Sequence, residues 1–179
     1  MNTFDLLVSK IIKHEGGNIF TDDPDDPGGA TKFGISIRFA GSIHLDIDGD
    51  GDTDKADIKA LTIEHARDIY WEHFWEKIAG GLLPRGIAYI AFDGAVNQGV
   101  HAATIDLQRA LGVEDDGIIG NITRVAAHTQ YSEAILNEYC ARRMVRYGKT
   151  KGFHKYGLGW SRRLFDVRNY ASVLTCNDF

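Results

Sequence analysis

The sequence predicts a mostly α-helical chain, a helical bundle with one small loop or β lobe. Three observations carry this. Apolar residues recur at helical spacing in segment after segment. Glycine or proline punctuates those segments. The one stretch of extended character, Ala30 to Ser36, is short and follows a run of Asp, Pro and Gly. With 179 residues, 44% of them hydrophobic and 25% charged, the chain can bury a substantial core, and a single domain over 1–179 is expected. A boundary near residue 85 would divide it into lobes over 1–84 and 85–179.

In chain order, Phe4, Leu7, Val8, Ile11 and Glu15 form one helical stripe, and Gly16-Gly17 stops the helix on Glu15. Asp22 to Gly29 has no period and reads as a loop, followed by the extended or hairpin-like stretch 30–36. After an acidic loop at Asp46 to Asp57, Thr62 can cap a helix through Ala66, Ile69, Tyr70, Phe74 and Ile78, ended by Gly80-Gly81. Ala88, Ala91, Phe92, Ala95 and Val96 give the stretch Ile87 to Gln98 a small-residue face suited to the centre of a bundle. Further helices are expected at Ala102–Leu111, at Arg124–Thr129 with Asn121 or Thr123 as cap, at Ser132–Tyr147 and at Ser161–Leu174. The turn at Glu114 to Gly120 separates the first two of these.

Composition excludes several classes of function. No run approaches the ~20 apolar residues of a membrane span, and Met1 to Lys13 lacks a basic start leading into an apolar stretch, so neither a transmembrane segment nor secretory export is expected. A formal charge of −5 argues against nucleic acid as a partner. The charge is uneven, however. Residues 1–60 carry twelve acidic and six basic side chains, whereas Arg142 to Arg168 carry nine basic ones against Asp166 alone. That basic stretch, with His154, Trp160 and Arg162, can approach an anionic envelope, or can be an ordinary solvated helix face. Cys140 and Cys176 lack metal-ligand spacing and read as idle thiols, with one optional disulfide between them.

Glu15, at the end of an apolar stripe, would be partly desolvated and would face the negative end of its helix dipole. Both effects favour the protonated form that a general acid for glycoside cleavage needs. Around it stand His14-Glu15-Gly16-Gly17 and Asp26-Pro27-Gly28-Gly29-Ala30-Thr31-Lys32-Phe33-Gly34-Ile35-Ser36. Further on come Tyr70-Trp71, Phe92-Asp93-Gly94-Ala95-Val96-Asn97-Gln98-Gly99, Leu107 to Gly112, Asp116 to Gly120 and Gly159-Trp160-Ser161-Arg162-Arg163. In these motifs the sequence resembles glycoside hydrolase family 108, the phage-type N-acetylmuramidases. The resemblance implies a lysozyme-like helical fold that hydrolyses the β-1,4 bond between N-acetylmuramic acid and N-acetylglucosamine in peptidoglycan. It implies Glu15, from the Glu-Gly-Gly motif, as the proton donor. The lobe over 1–84 would then be catalytic and that over 85–179 would bind peptidoglycan.

The chemistry also asks for a group that stabilises the oxocarbenium-like transition state or holds the attacking water. Asp26 stands where the family motif has its Asp before the Gly pair, and Asp25 lies at a T4-type lysozyme spacing from Thr31. Thr31 itself can orient water. The same aspartates can equally form a mere Asp-Pro turn. Asn97 and Gln98 can reach sugar acetamido groups or cap a helix end. Trp71, Trp75 and Trp160 can offer flat faces to sugar rings, although Trp71 and Trp75 at i, i+4 fit a core pair as well.

The stretch from Asp46 to Asp57 follows the EF-hand loop, with carboxylates at positions one, three, five, nine and twelve and Gly51 at six. Six aspartates this close repel one another unless a hard dication takes their oxygens. The expected ligands for a structural Ca2+ are Asp46, Asp48, Asp50 and Asp57, the main-chain carbonyl of Asp52, and Asp54 directly or through water. Asp57 in place of Glu resembles dockerin loops. Residues 39–45 are too few and Gly-interrupted for an entering helix, and the loop reads as an insertion that stiffens the lobe carrying Thr31.

Together these features describe a monomeric endolysin, made in the host bacterial cytoplasm and let through to the wall by a separate pore-former. The rivals are a lytic transglycosylase acting on the same bond and a non-catalytic, calcium-dependent wall-binding module.

Overall fold

Ten consecutive positions, Gly86 to Ala95, are buried, and they belong to one helix that is apolar on every side. A helix of that kind has to sit inside a bundle. The computed structural model describes residues 2–23 and 28–176, with side chains as far as Leu174. Its elements run α1 Thr3–His14, β1 Thr31–Lys32, β2 Ile35–Ser36, α2 Ile37–Ser42, α3 Lys55–Ala60, α4 Ile63–Tyr70, a π-helical turn Trp71–Trp75 and a 3-10 turn Gly80–Leu82. Then follow α5 Arg85–Gln98, α6 Val100–Leu111, α7 Asn121–Thr129, α8 Glu133–Gly148 and α9 Phe153–Cys176. The fold is mostly α and lysozyme-like, with a small two-stranded sheet, as the sequence predicts. The chain divides into two compact units, Met1–Trp71 and Glu72–Phe179.

In the first unit, α1 buries Phe4, Leu7, Val8, Ile11 and Ile12, and Asn2 caps it by accepting from the Asp5 amide at 2.8 Å. Arg67 of α4 pairs with Asp5, and Trp71 meets the Phe4 ring edge-on at 4.9 Å. The hairpin pairs Thr31 with Ser36 and Lys32 with Ile35, so Phe33 and Gly34 form a two-residue loop. Both have positive φ, +54° and +78°, as the primed turns that join twisted strands demand. Thr31 also forms a bridge to Thr21 on its other side.

In the second unit, α5 lies against α6, α8 and α9. The close approach expected of its small residues is seen at Gly94, where the Tyr139 hydroxyl takes the space of a missing Cβ. Asp93, on the same helix, is fully buried. Its Oδ2 accepts from Arg143 Nη1 of α8 at 2.8 Å, and its Oδ1 from Arg163 Nη2 and Nε of α9 at 2.7 and 3.1 Å. Burial opposes the charge, but the guanidinium groups of Arg143 and Arg163 outweigh it and hold the Asp93 carboxyl below the usual carboxylate range. One carboxylate thus ties three helices together.

Several elements differ from the sequence reading. The helix expected from Thr62 to Ile78 is α only to Tyr70. The π turn that follows carries Trp71, which is 40% exposed, and Trp75, which is 3% exposed, so the two do not form a shared core pair. Helix α9 starts eight residues before Ser161, at Phe153, because the aromatic residues Phe153, Tyr156 and Trp160 cluster across Gly157 and Gly159. Residues 37–42 form the short helix α2, capped by Ser36, where the sequence reading places no helix before the acidic loop. Gly120, with no side-chain cap, precedes α7, while Thr123 is buried and within 3.2 Å of Gln108 Nε2. Cys140 is a buried free thiol whose pKa burial pushes up to about 11, so it is protonated and unreactive at neutral pH. The Cys176 side chain lies outside the described residues.

Replacing Asp93 by Ala leaves Arg143 buried without its counter-charge and is expected to cost about 3–5 kcal/mol in urea unfolding. Because the folded-state pKa of Asp93 is depressed, its stabilisation is complete above its unfolded value of about 3.9 and is lost as pH falls through the folded value. Unfolding curves from pH 7 to 2 should therefore show a larger acid loss in wild type than in Asp93→Asn.

Candidate functional site

Glu15 is the C-cap of α1, one residue beyond the helix, with φ −85° and ψ 15°. Its amide donates to the Ile11 carbonyl at 3.0 Å, so the backbone under the side chain is held by the last helical turn. The residue is half-buried, and its Oε1 is out of contact with solvent. The left-handed Gly16 and Gly17 then turn the chain back, and the Gly17 carbonyl accepts from the Phe33 amide at 3.0 Å, joining the hairpin tip to the end of α1. At that tip a Cβ on Gly34 would lie 2.5 Å from Glu15 Cβ and 2.8 Å from its Cγ. Only glycine permits this approach. The carboxylate at the helix end and the hairpin are one piece of structure.

Thr31 donates its hydroxyl to the Gly29 carbonyl at 2.9 Å and pairs through its backbone with Thr21 and Ser36, which leaves its oxygen lone pairs as the available function. Asp25 and Asp26 lie outside the described residues. In the second unit, Gln98 spends both ends of its amide on α8, donating to the Arg143 carbonyl at 3.3 Å and accepting from Arg143 Nε at 3.0 Å. Asn97 Oδ1 accepts from the Tyr147 hydroxyl at 2.6 Å, and the Trp160 ring stacks on Tyr147 at 4.9 Å. The two amides that end α5 are thus anchored by α8, Gln98 by the Arg143 that serves Asp93 and Asn97 by Tyr147, which itself accepts from Arg143.

The acidic loop closes on itself through its own carboxylates. Asp46 accepts from the Gly49 and Gly51 amides at 2.7 and 3.1 Å, Asp48 from Asp50 at 3.3 Å, and Asp50 from Asp52 at 3.1 Å. Asp57 is buried and accepts from Ile47 and Asp48 on Oδ1, at 2.6 and 3.4 Å, and from Asp54 on Oδ2 at 2.7 Å. It also forms a capping box with Asp54 at the start of α3. These backbone donors hold the Asp57 carboxyl below its ordinary range, whereas Asp50 and partial desolvation push Asp52 up. Carboxylate oxygens of Asp46, Asp48 and Asp50, and those of Asp52, Asp54 and Asp57, come within 4.8 Å of one another in each trio. An all-oxygen donor set of this kind suits a hard cation. Asp57 therefore has a second task, starting α3, that its position in the motif does not reveal.

The basic stretch is less available than its composition implies. Arg143 and Arg163 are consumed by Asp93, Arg146 pairs with Asp106, Arg142 with Glu138 and Arg168 with Glu133. Lys149, Lys151 and Arg162 are exposed, as is Lys155, whose ammonium lies 5.0 Å from the centre of the Tyr156 ring.

Sequence reasoning assigned no role to Asp93, Gly34 or Tyr70. For Asp93 a signal existed, since a lone carboxylate inside an apolar helix has to find a buried cation. For Tyr70 the signals were its place on the apolar stripe and in the Tyr70-Trp71 motif, neither of which points to its hydroxyl. It is 1% exposed, and its hydroxyl donates to the Phe33 carbonyl at 2.9 Å.

A family model described as glycosyl hydrolase 108 matches residues 8–99, a span that contains Glu15, the hairpin, the acidic loop and α5. Among solved structures, that of Brucella abortus SagA is similar, with 35% sequence identity and a TM-score of 0.84 over 97% of this chain and 95% of that one. No curated protein matches significantly. A family match across more than half of the 179 residues, joined by a likeness in sequence and structure along nearly the whole chain, shows that the protein belongs to the glycosyl hydrolase 108 family and is a glycoside hydrolase.

Proposed function

We propose that this glycoside hydrolase is an endolysin-type N-acetylmuramidase, cleaving the β-1,4 bond between N-acetylmuramic acid and N-acetylglucosamine with Glu15 as general acid. The family supports peptidoglycan hydrolysis of a muramidase-like kind. The observation that carries the residue assignment is the placement of Glu15 inside the matched segment, at a helix end, with one oxygen shielded and its stem packed on Gly34. Glu15 gives its proton to the glycosidic oxygen as the C–O bond breaks, and water adds to the sugar carbon left behind. We assign the second group to Asp26, with Asp25 and Thr31 as the alternatives. Asn97, through its amide NH2, and Trp71, through its exposed face, are assigned to sugar binding.

The acidic loop is assigned a structural Ca2+, supported by its oxygen donors and by the mutual repulsion that raises Asp52. The rest of the proposal is a monomer, made in the host bacterial cytoplasm and reaching the wall through a separate pore-former. Contact with an anionic envelope falls to Lys149, Lys151, Lys155 and Arg162.

Four experiments test this reading. Glu15→Gln should lower the clearing of permeabilised Gram-negative cells by about 10²–10⁴-fold, the usual worth of a general acid, and retained clearing would remove Glu15 from the chemistry. Mass spectrometry of the wild-type digest should find reducing muramic acid, whereas an anhydro product would make the enzyme a lytic transglycosylase. Chelation should lower the melting temperature, and Asp46→Ala should abolish the difference between chelated and calcium-loaded protein. Asp57→Ala should melt lower than wild type even in chelator, because it also loses the reciprocal half of the α3 capping box and the bonds from the Ile47 and Asp48 amides. Replacing Lys149, Lys151, Lys155 and Arg162 by Gln should weaken sedimentation with whole walls more than cleavage of soluble oligomers, and equal loss on both would refute the envelope contact.

A further inference from the structure

Two side chains, those of Glu15 and Tyr70, meet at the hairpin tip. A Cβ on Gly34 would strike Glu15 Cβ at 2.5 Å, the Tyr70 hydroxyl at 2.7 Å and Glu15 Cγ at 2.8 Å. The stem of Glu15 and the phenol oxygen of Tyr70 therefore both crowd the face of Gly34 where a side chain would stand. That phenol is buried on α4 and donates to the carbonyl of Phe33, the residue before Gly34. Phe33 has φ +54°, a left-handed conformation that costs a bulky side chain energy and persists only where its surroundings enforce it. Two backbone contacts enforce it: the Phe33 amide donates to Gly17, and the Phe33 carbonyl receives Tyr70.

We propose that Tyr70 is a positioning residue for Glu15, its hydroxyl clamping the Phe33-Gly34 turn against the carboxylate's stem. The proposal rests on Glu15 being the general acid. A proton donor must be held within roughly 0.5 Å of its productive place, and packing against its stem narrows the torsions a helix-end side chain can take. Gly34 is that packing surface. Tyr70 prevents the turn from relaxing toward right-handed φ and drawing Gly34 away. Without the hydroxyl the ring still fills its buried site, so the fold persists while the turn is released.

The test is Tyr70→Phe assayed on a soluble peptidoglycan oligomer at a temperature where the variant is fully folded by circular dichroism. We expect kcat to fall at least tenfold with KM within twofold of wild type. Gly34→Ala, which pushes a methyl into Glu15, should fall similarly, and the double variant should fall no further than the worse single one. Tyr89→Phe, which removes a buried hydroxyl in the second unit, controls for hydroxyl loss and should keep wild-type kcat. Wild-type kcat in Tyr70→Phe, or multiplicative losses in the double variant, would overturn the positioning role. Retained activity in Glu15→Gln would instead overturn the assignment on which it rests, so the two failures are distinguishable.

Discussion

A carboxylate in the middle of the most buried helix is the constraint to which the second unit answers. Asp93 has to be charged or neutral in a place with no water, and the chain resolves this by bringing two guanidinium groups from two different helices onto its two oxygens. Arg143, itself buried, then needs more partners than Asp93 provides. Gln98 and Tyr147 supply them, and Tyr147 in turn holds Asn97 and the Trp160 ring. The end of α5, the aromatic cluster at the start of α9 and the inner face of α8 all inherit their geometry from one ion triad. Such a triad contributes less net stability than an apolar core of equal size, but it fixes the rotation of each helix about its axis, because only one register satisfies both forks.

The first unit is organised by shape more than by charge. A two-residue turn with both members left-handed is stiff, and it lies where α1 ends. Glu15 thereby stands between a helix terminus, which sets its backbone, and a glycine, which leaves room for its stem.

Much of this was legible before any coordinates. Helical spacing placed α1, α5, α6 and α8 closely, because an amphipathic or wholly apolar helix writes its packing into its period. Glu15 was legible through the glycine pair that stops α1 and through the motif around it. What escaped were features in which one residue does two jobs or in which aromatic packing outweighs propensity. Asp57 reads as the last position of a cation loop, yet its side chain also closes the capping box on Asp54 that starts α3. Gly157 and Gly159 suggest a late start for α9, but the rings of Phe153, Tyr156 and Trp160 draw the helix across them. The basic stretch looked like a surface because charge is counted along the chain, whereas ion pairs form through space.

Lys32 points to a different kind of consequence. On the strand that leads to the hairpin tip, its ammonium group donates to the Lys59 and Leu61 carbonyls, both at 2.7 Å, where α3 ends. The acidic segment is thus tethered at its far end by a cation whose charge is spent on backbone oxygens. Arginine, broader and planar, cannot bring a compact ammonium onto two converging carbonyls. A partly exposed lysine, ordinarily among the freest positions for sequence drift, is here expected to evolve as slowly as a core residue.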